Sequence, residues 1–95
     1  MPSDFALDVP LGSPGRALLH RGRMDSKKLR TAIEKVSTRE LLQIRRQLMF
    51  LRRAAERRAR RTWLPASVRA SESAEAEELA RRMRAIWQDL DRRRL

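Results

Sequence analysis

Cysteine, tyrosine and asparagine are absent from the 95 residues of this chain, and histidine occurs once, as His20. The lack of cysteine excludes disulfides, thiolate metal sites and cysteine nucleophiles. General acid–base chemistry near neutral pH relies most often on histidine, and His20 lies in the segment richest in glycine and proline. We therefore expect a protein that is not an enzyme, with no metal site and no cofactor.

Long apolar runs are also missing. The longest uninterrupted one within the predicted helices, residues 48–51, is far shorter than the roughly 20 residues that a membrane-spanning helix needs. The first residues lack a basic start followed by an apolar stretch, and Asp4 and Asp8 are unusual for a transit peptide. We expect no targeting peptide, no integral membrane association and a soluble intracellular location, cytoplasmic or nuclear.

Arginine is the residue that this chain has in excess. Its 20 arginines and three lysines outnumber 12 acids, so the net charge is +11. Thirteen of these basic residues lie between residues 24 and 63 with only four acids, whereas the first 23 and the last 32 residues each carry a net charge of +1. Such a local field attracts nucleic acid, anionic membranes or acidic proteins. The excess of arginine over lysine fits forked phosphate contacts, and it equally fits GC-rich or overlapping coding.

The chain divides into two parts. Residues 1–23 contain three of the four prolines and all three glycines, which interrupt a regular helix, and we predict a flexible, irregular N-terminal tail there. Alternating apolar residues would also suit an extended segment lying on the helices or on a partner: Phe5, Leu7, Val9 and Leu11. Residues 24–95 are predicted to form one helical domain. Because its core is small, we expect self-association or a partner to stabilise it.

Three helices are predicted in this domain, over about 26–36, 38–63 and 71–93. Asp25 or Ser26 can act as the N-cap of the first helix. Ser37 and Glu40 have the spacing of a capping box, which predicts a new helix start there; one continuous helix over 26–62 is the alternative. Pro65 disfavours helical geometry at the residue before it, so a turn is expected after the second helix.

The second and third helices both carry apolar residues spaced alternately three and four apart, which is typical of coiled coils and helical hairpins. The two seams are Leu41, Ile44, Leu48, Leu51 and Ala55, and Ala76, Leu79, Met83, Ile86 and Leu90. A short connection between them favours an antiparallel pair. The predicted fold class is therefore all-α: an antiparallel, coiled-coil-like helical hairpin with a short preceding helix and an irregular tail.

In this hairpin, the acids at the start of the third helix are expected to lie beside the arginines that end the second: Arg57, Arg58, Arg60 and Arg61. Ion pairs there would neutralise part of the arginine cluster internally. The two tryptophans are expected to be packed, Trp63 at the hairpin turn and Trp87 at the edge of the seam.

The main candidate site is the arginine face opposite the leucine seam. At 100° per residue, Arg39, Arg46, Arg53 and Arg57 lie opposite Leu48, with Phe50 among them. Guanidinium groups can hold phosphates while an aromatic ring stacks on a base. The alternatives are that Phe50 packs against the first helix or the tail, or that it is one of the scattered exposed apolar residues found on most proteins. The predicted nucleic-acid-binding residues are Arg46, Arg53, Arg57, Arg60, Arg61 and Phe50.

Leu42 and Met49 form a second apolar strip about 110° from the seam, too far round the helix for one partner helix to cover. The first helix folding back, or a second copy of the chain, could cover it. Alternatively, Leu42, Met49 and Phe50 dock into another protein, which would make this chain a protein-binding adaptor or regulator. A small accessory protein of a virus or mobile element would fit that role.

The chain does not fit the known nucleic-acid-binding modules. A basic leucine zipper places its basic region before the heptads and uses an asparagine for base contact, whereas here the arginines from 57 to 61 follow the leucines and asparagine is absent. No zinc-finger, RRM or KH signature is present. We predict a small basic protein that binds RNA or DNA through phosphate contacts with little sequence specificity. The expected partners are nucleic acid or an acidic protein, together with further copies of this chain. Binding of the central helix to an anionic membrane surface is a second alternative, but it requires an exposed leucine seam.

Overall fold

The computed structural model describes residues 12–93. A short 3-10 helix, Pro14–Leu19, precedes three α-helices: α1 (Ser26–Lys35), α2 (Thr38–Ala59) and α3 (Ala66–Arg92). The described residues contain no β-strand, and α2 and α3 pack antiparallel against each other. The predicted all-α helical hairpin is therefore confirmed. None of the helices in this range combines the length and apolar character needed to cross a bilayer.

The first two α-helices begin at N-caps that the sequence predicts. The Asp25 carboxylate accepts a hydrogen bond of 3.4 Å from the backbone N–H of Lys28, and the Ser37 hydroxyl accepts one of 3.2 Å from that of Glu40. Val36, between the helices, has an extended backbone with φ −97° and ψ 138°. The break at this point excludes the alternative of one continuous helix over 26–62.

The hairpin connection lies earlier in the chain than predicted. α2 ends at Ala59 rather than near residue 63, and α3 starts at Ala66 rather than near residue 71. Pro65 occupies the N-cap position of α3, with φ −54° and ψ 147°. A proline is tolerated there because the first amides of a helix have no intrahelical acceptor. The helix can therefore resume directly after Pro65, and residues 66–70, which the prediction left outside it, belong to α3.

The core forms where α2 faces α3 and where the 3-10 helix and α1 cover one side of that pair. Its buried apolar residues come from all four elements and from Val36 between α1 and α2: Leu18, Leu29, Ala32, Ile33, Val36, Leu41, Ile44, Leu48, Leu79, Ile86 and Leu90. Leu51 differs from its predicted role in the seam, because it is 41% exposed. It lies about 60° round α2 from Leu48, the widest offset among the seam residues of α2, and thus at the edge of the buried stripe.

Residues 12–23, within the segment predicted to be a flexible tail, pack against the helices. Leu18 is fully buried. Gly15 approaches α2 so closely that a Cβ atom added to it would lie 2.5 Å from Cδ1 of Ile44. This part of the predicted tail is thus integral to the helical unit. Residues 1–11, which hold the alternating apolar residues noted above, lie outside the described part of the chain, and their predicted flexibility stays a prediction.

A buried arginine attaches this segment to α3. Arg82 is only 1% exposed, and its guanidinium donates hydrogen bonds to the backbone carbonyls of Leu18 at 2.9 Å, His20 at 2.6 Å and Gly22. Its Nε atom donates to the Glu78 carboxylate at 2.9 Å. An irregular segment has carbonyls with no helical partner, and one planar guanidinium can satisfy several of them.

Glu78 is the carboxylate at the centre of this attachment. It also accepts hydrogen bonds from the backbone N–H of Met24 at 3.0 Å and from Arg81 at 2.9 Å. Burial by itself raises the pKa of Glu78, but the hydrogen bonds from Arg81, Met24 and Arg82 together outweigh burial and lower that pKa to about 2. The group is therefore ionised throughout the physiological pH range.

Arg93 performs a similar task at the end of α1. Its guanidinium donates to the carbonyls of Val36 at 2.9 Å and Ile33 at 3.1 Å, while its Nε atom lies 2.6 Å from the Asp89 carboxylate. The last carbonyls of a helix have no intrahelical donor, so Arg93 satisfies two acceptors around the C-terminal end of α1. Several arginines are therefore used inside the fold.

Candidate nucleic-acid interface

The five arginines predicted to contact phosphate are all exposed. Arg46, Arg53 and Arg57 lie on α2, and Arg60 and Arg61 follow its last residue. The leucine seam of α2 is buried against α3, so its opposite face is directed to solvent. Within residues 12–93, none of these five forms an ion pair with a carboxylate. Their charges are thus not compensated by the described part of the chain.

The predicted neutralisation of part of the arginine cluster by α3 is confirmed for one arginine. Of the four arginines expected to pair, only Arg58 does so, with its Nε atom 3.2 Å from Oε2 of Glu72. Arg21 binds the same Glu72 at 2.7 Å and also reaches Glu75 at 3.4 Å. The first acids of α3 therefore hold the N-terminal segment, a relationship that spacing along the hairpin could not show. The other three arginines remain available for a partner: Arg57, Arg60 and Arg61.

These pairings favour the ionised form of Glu72. Its hydrogen bond from Arg21 is the main cause that holds its pKa below the ordinary range, and Arg58 adds to that effect while burial opposes it. The same contact raises the pKa of Arg21. Glu72 thus joins Arg21 of the N-terminal segment to Arg58 at the end of α2.

Phe50 lies among the exposed arginines and is itself 43% exposed. It follows Arg46 by one turn of α2 and precedes Arg53 by about one turn. Its remaining surface is covered by neighbouring residues, so the ring is only partly accessible. The predicted combination of an aromatic ring with flanking guanidiniums is therefore present on one helix face.

The second apolar strip is not covered by α1. Leu29 and Ile33 of α1 instead share a cleft with Ala85 on another side of α3. Leu42 and Met49 consequently line an open groove between α2 and α3, with a volume of about 780 Å³. The other residues that line it are Arg45, Arg46, Arg52, Ala80, Met83, Arg84, Trp87 and Gln88.

Both tryptophans are exposed, which corrects the expectation that they are packed. Trp87 is 61% exposed in the groove, and the guanidinium carbon of Arg45 lies 4.9 Å from its ring centroid. Trp63 is 73% exposed in the hairpin connection, with Arg61 at 5.7 Å. Sequence reasoning missed Trp87 as a surface residue, although its position about 100° from Ile86 around α3 places it beside the seam rather than within it.

No other kind of site is evident in residues 12–93. Within that range, no cluster of three or more His, Cys, Asp or Glu side chains is placed to hold a metal ion. The chain matches no protein-family model, no curated protein and no solved structure.

Proposed function

We propose that this protein binds the phosphate backbone of nucleic acid, with little sequence discrimination, through the exposed arginines of α2 and of the following turn. The observation that supports this proposal is the division among the arginines. Side chains such as Arg82 and Arg93 are engaged by carbonyls and carboxylates, whereas five exposed ones have no ion-pair partner in the described residues: Arg46, Arg53, Arg57, Arg60 and Arg61.

The chemistry of the guanidinium group suits phosphate. It is planar and permanently charged, and it offers two parallel donors to two phosphate oxygens. Arg46 and Arg57 are separated by about 16 Å along a rigid helix, so the face can contact several phosphates of one strand. Each contact releases condensed counterions, which favours binding regardless of the base sequence.

Phe50 provides a preference for unpaired strands. Stacking of a base on an aromatic side chain contributes about 1–3 kcal/mol and tolerates every base. Bases of a duplex are stacked on one another and are not available to the ring. We therefore expect single-stranded RNA or DNA to bind more tightly than a duplex of equal length, and Phe50→Ala to reduce that difference.

The test is a set of fluorescence-anisotropy titrations with labelled single-stranded RNA and duplex DNA over a range of salt concentrations. If five phosphates are neutralised, the log–log slope on duplex DNA is expected to be about 4 to 5. Changing Arg46, Arg53 and Arg57 to Gln should lower that slope by about 3. Absence of binding at low salt, or an unchanged slope in the triple variant, would refute the proposal.

A matched control is available on α1. Lys27, Lys28 and Arg30 are exposed, and their conversion to Gln removes the same total charge from another surface. We expect this control variant to keep most of the affinity. Equal losses in the two triple variants would mean that binding follows net charge and has no defined site.

Binding to an anionic membrane surface receives less support. It requires the leucine seam of α2 to be exposed, but Leu41, Ile44 and Leu48 are fully buried against the rest of the core. Vesicles of anionic lipid serve as a comparison in the same titrations, and affinity for them above that for RNA would favour the membrane alternative.

A further inference from the structure

The groove between α2 and α3 has an apolar floor that no described element covers. Leu42 and Met49 contribute from α2, while Met83 and Trp87 contribute from α3. Leu42 and Trp87 are both exposed. Tryptophan, methionine and arginine are enriched in the centres of protein interfaces, and methionine side chains adapt to differently shaped partners. This composition indicates a surface that another protein segment can bury.

The charge of the rim restricts what that segment can be. Four arginines line the groove, and no carboxylate is among its lining residues: Arg45, Arg46, Arg52 and Arg84. Arg52 is partly compensated, because its Nε atom lies 3.5 Å from Glu56. A second copy of this chain carries a net charge of +11, so a like-charged copy is a poor occupant for this rim.

We propose that the groove binds an acidic amphipathic helix of another protein, with leucine or phenylalanine side chains on the floor and carboxylates against the arginine rim. Leu42 and Met49 are seven residues apart, about 10 Å along α2, which matches two turns of a docked helix. Such a helix would complete a three-helix arrangement in which its i, i+3, i+4 and i+7 residues contact the floor. The groove adjoins the proposed phosphate-binding face and shares Arg46 with it, but this proposal does not require that nucleic acid binds there.

A nucleic acid base is a less suitable occupant. The floor is mainly aliphatic, and Arg45 already lies over the Trp87 ring. A base needs a flat aromatic face, whereas Leu42, Met49 and Met83 offer irregular aliphatic surface that suits the side chains of a helix. Arg46 belongs both to the groove and to the proposed phosphate-binding face, so a docked acidic helix is expected to weaken nucleic acid binding.

The probe is a synthetic, fluorescein-labelled helical peptide with leucines at the i, i+3, i+4 and i+7 positions and glutamates on its other side. A scrambled peptide of the same composition carries the same charge but has no apolar face. The full chain should bind the amphipathic peptide at least tenfold more tightly than the scrambled one. Equal binding of both peptides would overturn the proposal, because charge alone would then explain it.

Trp87→Ala and Trp63→Ala form a matched pair, since both tryptophans are exposed and only Trp87 lies in the groove. Trp87→Ala should lower the affinity for the amphipathic peptide at least tenfold and change the affinity for RNA by less than twofold. Trp63→Ala should leave peptide binding unchanged. Circular dichroism verifies that both variants are folded. Met49→Glu is a second groove variant, and it should also abolish binding of the peptide.

Other occupants of the groove give different results. If Trp87→Ala mainly lowers the affinity for single-stranded RNA, the groove is a base-stacking site, and the proposal is overturned. A dimer in sedimentation experiments that dissociates on Trp87→Ala would identify a second copy as the occupant and would also overturn it. Changing Phe5 and Leu7 to serine leaves the net charge unchanged. A gain of more than tenfold in peptide affinity in that variant would identify the chain's own first residues as the occupant and would also overturn the proposal.

Discussion

The guanidinium of Arg82 donates a hydrogen bond of 2.9 Å to the backbone carbonyl of Leu18, and this contact joins α3 to a segment 64 residues earlier in the chain. The same side chain also binds the carbonyls of His20 and Gly22. Residues 12–23 offer few apolar side chains for packing. Their attachment therefore depends strongly on one buried cation.

Arg82→Met should be strongly destabilising. It removes the donors for three carbonyls and leaves the buried Glu78 carboxylate without one of its cationic partners, a change that costs about 3–5 kcal/mol. Urea denaturation followed by circular dichroism measures the loss. Arg84→Met is the control, because Arg84 is exposed on the same helix, and it should change stability by less than about 0.5 kcal/mol. Similar losses in both variants would contradict the assigned role.

Glu78 should make the protein sensitive to acid. Its pKa is about 2 in the folded state and close to its ordinary value of 4.5 when unfolded. The unfolded chain therefore binds the proton first, so the stabilisation is complete above pH 4.5 and is lost as the pH falls from 4.5 towards 2. The loss is roughly 3 kcal/mol. Unfolding free energies measured between pH 2 and 6 should vary less in Glu78→Gln, whereas Glu77→Gln, an exposed neighbour, should retain the wild-type pH profile.

Gly15→Ala should destabilise the protein for a purely steric reason. The added methyl group would lie 2.5 Å from Cδ1 of Ile44 and 2.8 Å from Oε2 of Glu40. The backbone at Gly15 does not require a positive φ, so strain in the backbone does not contribute. We expect a loss of about 1–3 kcal/mol, measured by thermal denaturation. Gly12→Ala meets no atom within 4 Å, and a loss there as large as at Gly15 would contradict the close packing.

Leu48 and Leu51 should respond differently to truncation. Leu48→Ala removes a fully buried side chain and should cost about 2–5 kcal/mol. Leu51→Ala should cost less, about 1 kcal/mol, because Leu51 is 41% exposed and its truncation leaves no enclosed cavity. Both free energies come from the same chemical denaturation experiment. Equal costs would mean that Leu51 is covered in solution, for example by a second copy of the chain.

Local patterns were sufficient to predict the helical hairpin and the start of α2. The three-and-four spacing identified the two faces that pack together, and the Ser37 hydroxyl lies where a capping box requires it. The same periodicity predicted that Arg46, Arg53 and Arg57 would face solvent. These features depend on residues close together in the chain, and helical geometry alone determines which side chains share a face.

Features that depend on distant residues could not be predicted in this way. Trp87 and Leu51 were expected to be packed, but each lies at the edge of its apolar seam and is exposed. Helical geometry places a residue at such an edge, and only the packed structure decides whether a neighbouring element covers it. Glu72 pairs with Arg58 at the end of α2 as expected, but its shorter contact, with Arg21, was not predicted. In each case the outcome depends on which distant parts of the chain pack together, and the pattern of neighbouring residues does not determine that.

The sequence by itself determined the helices, their antiparallel pairing and the concentration of positive charge on α2, because periodicity and capping act over a few residues. Only the tertiary structure decided which arginines are hydrogen-bonded inside the fold and which remain exposed. Arg82 is buried because the carbonyls of an irregular segment need donors, whereas Arg53 and Arg57 are left without carboxylate partners in the described residues. Burial and partner choice are properties of the packed chain, and they separate structural arginines from those available to a ligand.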